Sequence, residues 1–165
     1  MNNHHVLTCI DVPLLALEQL LARFGITLIM LEKGAIIEGS YWGEAEAGLV
    51  QNRVYVRPDT PIHSLLHEAC HYICMDKQRR DELHTDAGGE YIEENGVCYL
   101  QIVLADYIPT MDKARMWADM DAWGYTFRLG SSQAWFEEDA TDAKMWLIEH
   151  QLLDMLGYPT WKVRA

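Results

Sequence analysis

Thr60-Pro61-Ile62-His63-Ser64-Leu65-Leu66-His67-Glu68-Ala69-Cys70-His71-Tyr72-Ile73-Cys74 is the stretch on which the fold turns. Thr60 followed by Pro61 marks a helix start, because proline has no N–H to lose in the first turn and its fixed φ already suits a helix. Leu65, Leu66, Ala69, Cys70 and Ile73 then recur at helical spacing, and the segment turns polar at Asp76-Lys77-Gln78-Arg79-Arg80. On such a helix His67 and His71 project about 40° apart at about 100° per residue, so two imidazoles can grip one ion. Glu68 is turned about 100° from His67, which keeps its carboxylate off the ion but within reach of water beside it. This is the division of labour of a metal-dependent hydrolase: a divalent metal, zinc for these donors, polarises a carbonyl and acidifies water, and Glu68 acts as general base.

Two histidines need a third protein ligand. Glu90, Glu93 and Glu94 open the next expected helix, residues 90–106, after a polar connection over residues 81–89 that lets the chain reverse. Glu94 lines up with Val97, Gln101, Leu104 and Ala105, a stripe expected to face the core and carry the carboxylate inward. Glu93 aligns nearly as well, with Val97, Leu100 and Leu104. Glu94 is the preferred third ligand, Glu93 the alternative, and Glu90 comes last.

Upstream, Asp11-Val12-Pro13 reads as the start of a helix carrying Leu14, Leu17, Leu21 and Phe24 to a stop at Gly25. Residues 26–31 read as a buried strand, with residues 35–38 as its hairpin partner. Gly48-Leu49-Val50, then Gln51-Asn52, then Arg53-Val54-Tyr55-Val56-Arg57 alternate as a hairpin. Pro58 after the second strand makes that strand the expected sheet edge, open to an extended peptide. Downstream, helices are expected over residues 109–122 and 137–156, with residues 123–130 a strand or ordered loop.

A chain of 165 residues, half of them hydrophobic and 23% charged, suits one folded domain, with a core over residues 11–108 and a helical section over residues 109–165. A net charge of −12 opposes binding to nucleic acid, which needs a basic surface. No apolar run reaches the roughly 20 residues of a membrane helix, and the start at Met1 has neither the basic beginning nor the apolar centre of a secretory signal, so the expected compartment is the cytoplasm. Cys9, Cys70, Cys74 and Cys98 are scattered through apolar segments, as buried reduced thiols would be. Cys70 and Cys74 follow His67 and His71 by three residues, but one straight helix cannot wrap four ligands around an ion. His63, one turn before His67, could hydrogen-bond to a metal ligand or stabilise an oxyanion, but it reads first as a satisfied surface histidine. His84, His150, Tyr125 and Arg128 have no spacing argument to join them to the site.

With these residues in view, Val54 through Pro109 resembles the small gluzincin-like peptidases of the ImmA/IrrE family, over about a third of the chain. The resemblance is carried by the Tyr55-Val56 strand, the His67-Glu68-Ala69-Cys70-His71 helix and the Glu94-x-x-Val97-x-x-Leu100-Gln101 helix. Where that family tends to show Ala-Asn-x-Phe-Ala and Leu-Leu-Met-Pro, this chain has Val97-Cys98-Tyr99-Leu100-Gln101 and Ala105-Asp106-Tyr107-Ile108-Pro109. The resemblance implies an α+β minimal zincin-like fold and a zinc-dependent endopeptidase acting on a protein or peptide, often a repressor encoded nearby. The alternative is a non-catalytic module that keeps the fold and uses its cleft to bind a protein. Trp117, Trp123, Trp135, Trp146 and Trp161 lie outside the resemblance and are expected mainly as packing residues of a section covering the cleft.

Overall fold

The computed structural model describes residues 4–40, 44–83 and 88–165. Pro61 takes the N-cap position of helix α2 (Ile62–Cys74). Thr60 does not cap it; its hydroxyl accepts from the Arg57 N–H at 2.8 Å. Ile62, Leu65, Leu66, Ala69, Cys70 and Ile73 are all fully buried, and each such Leu or Ile contributes about 1.5–3 kcal/mol relative to exposure. Remote backbone pins both ends of this helix: Ile62 N–H donates to Leu7 O, and Arg164 N–H donates to Ile73 O, each at 2.9 Å.

The polar run after Cys74 is not the tail of α2. Asp76 is extended and caps a separate helix α3 (Lys77–Glu82), accepting from the Arg79 N–H at 3.0 Å. Asp81 and Glu82, expected in the connection, therefore belong to a helix; His84 and the rest of that connection up to Ala87 lie outside the described residues.

Three strands form a mixed sheet: β1 (Thr27–Met30), β2 (Gly48–Val50) and β3 (Arg53–Val56), in the order β1-β3-β2. The hairpin of β2 and β3 is present, with Gln51 at φ 52° in its turn. The expected place of β3 at the edge is wrong: it is central, parallel to β1 and antiparallel to β2. Pro58 lies beyond the last paired residue, Val56, where its missing N–H costs no ladder bond, so it ends the strand without exposing it. Residues 35–38 form no strand either. The segment after them covers the outer side of β2 instead, where Gly39 O accepts from Leu49 N–H at 3.1 Å. The approach is close enough that a Cβ at Gly48 would sit 1.9 Å from Glu38 O. β1 is exposed to half-buried rather than buried, and helix α1 (Leu14–Ala22) packs beside it. Asp11, the expected start of α1, closes a 3-10 turn over Cys9–Asp11 by accepting from the Thr8 N–H at 2.9 Å; Pro13 leads into the helix.

Helix α4 (Tyr91–Ala105) crosses α2 and also packs on α5 (Lys113–Trp123) and α7 (Thr141–Glu149). α5 begins at Lys113 because Asp112 caps it, accepting from the Arg115 N–H at 2.8 Å. The single helix expected over residues 137–156 is two: α6 (Ser132–Glu138), capped by Ser131, and α7, beyond which Gln151 takes φ 60°. Trp123 ends α5, and residues 124–130 form a loop. Leu17, Leu49 and Leu65 share one hydrophobic core with Leu104, Met116 and Leu147, so residues 109–165 pack into the same core as the rest. The result is an α+β fold of seven α-helices and a small three-stranded mixed sheet among the described residues. No helix among them is long and apolar enough to cross a membrane.

Candidate metal centre

Where α2 and α4 cross, the face of α2 carrying His67 and His71 meets the first turns of α4. Nε2 of His67 and Nε2 of His71 stand 3.1 Å apart. Glu94 spans them from the other helix, Oε1 lying 3.1 Å from His67 Nε2 and Oε2 lying 3.2 Å from His71 Nε2. In their neutral form, which a bound cation would favour over protonation, imidazole nitrogens facing each other at this distance present lone pairs that one cation could share, so the donors present fit a divalent metal. Burial works to raise the Glu94 carboxyl, but the hydrogen bond and charge of His67 and the charge of His71 hold it below the usual glutamate range. The opposite balance acts on His67. Burial opposes its protonation, yet Tyr125, Cys98 and Glu94 beside it draw its proton affinity well above the usual histidine range, as a site made for a cation would.

Glu93 goes elsewhere. It is only 4% exposed, and its carboxylate accepts from Arg79 at 2.7 and 2.8 Å and from Arg164 at 3.0 Å. The apolar stripe of α4 thus carries Glu93 inward, not Glu94, and two guanidiniums neutralise it there. Glu94 stays half exposed on the flank that faces the cleft. Glu90 caps α4 in extended conformation and is exposed.

Gln101 was readable only as a member of the apolar stripe, yet it orients the site. Its amide nitrogen donates to the peptide oxygen of His63 at 3.1 Å, so its carbonyl oxygen is the group facing His67 Nδ1, 2.9 Å away. The imidazole then carries a proton on Nδ1, which leaves Nε2, facing His71 and Glu94, as the nitrogen that a metal would take in place of a second proton. A fully buried glutamine in an otherwise apolar stripe was the available signal. Cys98 was also missed as a site residue. An imidazole nitrogen of His67, an oxygen of Glu94 and Sγ of Cys98 all lie within 4.8 Å of one another, close enough to hold a metal ion.

The cluster opens into a cleft of about 1040 Å³ whose walls include Glu46, Glu68, Trp123, Tyr125, Arg128 and Asp142. Burial pushes the Glu68 carboxyl up to about 7; His67 opposes this and Glu94 and Glu46 add to it. His63 is not at the surface as its position suggested but 1% exposed, with Nδ1 3.2 Å from the Tyr125 hydroxyl, and burial drives it down to about 3, hence neutral. Burial likewise pushes Tyr125 up to about 12, so it keeps its hydroxyl proton. The Tyr125 ring stands edge-on to His67 at 5.9 Å. Tyr125 and Arg128 reach the cleft from a loop, and no local sequence pattern places a loop. Of the tryptophans, Trp123 and Trp135 line the cleft, Trp123 with its Nε1 donating to Glu46 at 3.2 Å, whereas Trp146 lies tilted against His150 and Trp161 lies under Arg23. Cys70 and Cys74 are fully buried in the core, and all four thiols are unbridged.

No protein-family model, curated protein or solved structure matches the chain.

Proposed function

We propose that the protein is a zinc-dependent metallopeptidase of the minimal zincin type, a gluzincin in which His67, His71 and Glu94 hold the metal and Glu68 is the general base. It would hydrolyse peptide bonds of a protein or peptide substrate. The observation that carries this reading is the Glu94 carboxylate reaching Nε2 of both histidines from a neighbouring helix, with Glu68 in the same cleft. The resemblance to the ImmA/IrrE family, carried by the same His67, Glu68, His71 and Glu94, points to the same chemistry. Zinc at these residues would polarise the scissile carbonyl and bring the acidity of water near neutrality. Burial raises the Glu68 carboxyl and a cation at His67 and His71 would draw it back toward the ionised form, so it is placed to take a proton from water and return it to the leaving amine. Gln101 holds His67 in the tautomer that binding requires. The Tyr125 hydroxyl, still protonated, can donate to a carbonyl oxygen as it gains negative charge.

The substrate would be held by the cleft walls and not by pairing with β3, which has a strand on each side. Among the charged residues of those walls, Arg128 has its guanidinium 3.2 Å from Asp139, which leaves an excess of carboxylates suited to a neutral or basic polypeptide segment. The test is metal analysis of the purified protein together with mass spectrometry of a peptide library. One zinc per chain and cleavage that Glu68→Gln abolishes without loss of metal are expected. Metal without cleavage of any polypeptide would favour a non-catalytic binding module, and a chain that takes up no zinc would remove the reading.

A further inference from the structure

We propose that Cys98 supplies a fourth protein ligand to this metal centre, so that two histidines, a glutamate and a thiolate close the resting site. The inference rests on the metal reading above and deepens it. α2 presents His67 and His71 four residues apart; α4, crossing it, presents Glu94 and Cys98 four residues apart. Side chains at that spacing share a helix face, so each helix turns one pair of donors toward the other. Cys98 lines the cleft, whereas Cys70 and Cys74 are fully buried in the core and Cys9 lies in the 3-10 turn before α1. Ligand atoms of a tetrahedral zinc site stand about 3.5 Å apart, given bonds of about 2.0 Å to nitrogen and 2.3 Å to sulfur. Three of the four, His67, Glu94 and Cys98, already have ligand atoms within 4.8 Å of one another, and His71 Nε2 stands 3.1 Å from His67 and 3.2 Å from Glu94, so side-chain rotations are what the full set needs to close on that geometry.

Coordination forms one sulfur–metal bond and releases the thiol proton to solvent, with no change of oxidation state. One carboxylate and one thiolate then balance the two charges of the ion, which suits a half-buried site. The thiolate favours zinc over magnesium or calcium. It also occupies the position that a catalytic zinc keeps open, so a peptide carbonyl reaches the metal only once the sulfur has left.

The test uses the full chain stripped of metal by a chelator and reloaded with cobalt(II). Wild type should show a thiolate-to-cobalt charge-transfer band in the near ultraviolet. Cys98→Ser and Cys98→Ala should lose it while still binding one cobalt, and Cys70→Ser should keep it. Zinc affinity should fall about tenfold or more in both Cys98 variants. Stoichiometric cobalt with no such band in wild type, or a band that survives in both Cys98 variants, overturns the role of Cys98 and leaves His67, His71 and Glu94 standing. A wild-type chain that binds neither cobalt nor zinc overturns both readings.

Discussion

The side-chain oxygen of Gln101 stands 2.9 Å from Nδ1 of His67, and the other end of the same amide is committed to the peptide oxygen of His63 at 3.1 Å. A glutamine anchored in this way on the backbone of α2 acts as a fixed acceptor, and it sets the tilt of one imidazole of the proposed metal centre. Gln101→Leu should therefore lower zinc affinity by about 10–100-fold, the usual cost of losing a residue that supports a metal-binding histidine. Gln101→Glu keeps an acceptor for His67 but has no N–H for the His63 peptide oxygen, so it should recover only part of that loss. Competition with a chromophoric chelator reads both values, and equal zinc affinity in wild type and Gln101→Leu would show that the amide does not orient the site.

Glu93 and Glu94 are neighbours with opposite duties, so their alanine variants should part company. Glu93→Ala leaves Arg79 and Arg164 facing an interior from which the carboxylate has gone. Removing one partner of a buried ionic cluster costs about 3–5 kcal/mol, and because the two guanidiniums keep some solvent the expected loss here is about 2–4 kcal/mol. Glu94→Ala should cost less than about 1 kcal/mol of stability in the metal-free chain, since its side chain is 46% exposed, but it should abolish tight zinc binding. Urea unfolding and metal analysis on both variants check the pair; loss of zinc in Glu93→Ala at full stability would reverse the assignment.

How far the site was legible follows from the range of the interactions that build it. His67, Glu68 and His71 are related through one helix, whose geometry is local, and their grouping could be read from spacing alone. The same local logic located α4 and the hairpin of β2 and β3. It did not separate Glu93 from Glu94, because both lie close to the apolar stripe, and the choice depends on Arg79 and Arg164 arriving from α3 and from the far end of the chain. The sheet order was misread for a similar reason. Pro58 is a local fact, but the parallel pairing of β1 with β3 is a crossover that brings Thr27 opposite Arg53, 26 positions later in the chain. Tyr125 stands beside His67 only because α5 packs on α4, which no pattern within residues 123–130 encodes.

Gly96 lies where α4 and α7 approach most closely to the Trp146 ring. A Cβ there would meet Trp146 Cε3 at 2.9 Å and Cζ3 at 3.1 Å, atoms of a rigid indole rather than of a flexible chain end. Gly96→Ala gains about 1 kcal/mol of helix propensity but pays for overpacking, which costs about 1–3 kcal/mol, so a net destabilisation of up to about 2 kcal/mol is expected. The same substitution combined with Trp146→Leu should be better tolerated than the sum of the two single variants, because the ring is what the new methyl strikes. Thermal unfolding of the two single variants and the double variant measures this coupling; strict additivity would place the constraint elsewhere.

Glu68 should leave a signature in the pH dependence of stability of the metal-free chain. Burial raises its carboxyl from 4.5 to about 7, so between those pH values the folded state holds a proton that the unfolded state has released. Stability changes with pH in proportion to the protons bound by the unfolded state less those bound by the folded state; here that difference is negative. The contribution of Glu68 is therefore complete below about pH 4.5 and is lost as pH rises through about 7. Glu68→Gln does not titrate, so it should gain on wild type by about 1–3 kcal/mol between pH 5 and pH 8. Denaturant unfolding in the presence of a chelator across that range reads the difference, in which the titration of His67 is common to both chains. Zinc should flatten it, since a cation at His67 and His71 favours the ionised carboxylate in the folded state. A difference between the two chains that stays constant from pH 5 to pH 8 without metal would mean that Glu68 is solvated like an ordinary surface glutamate, and its match to proton transfer at neutral pH would be lost.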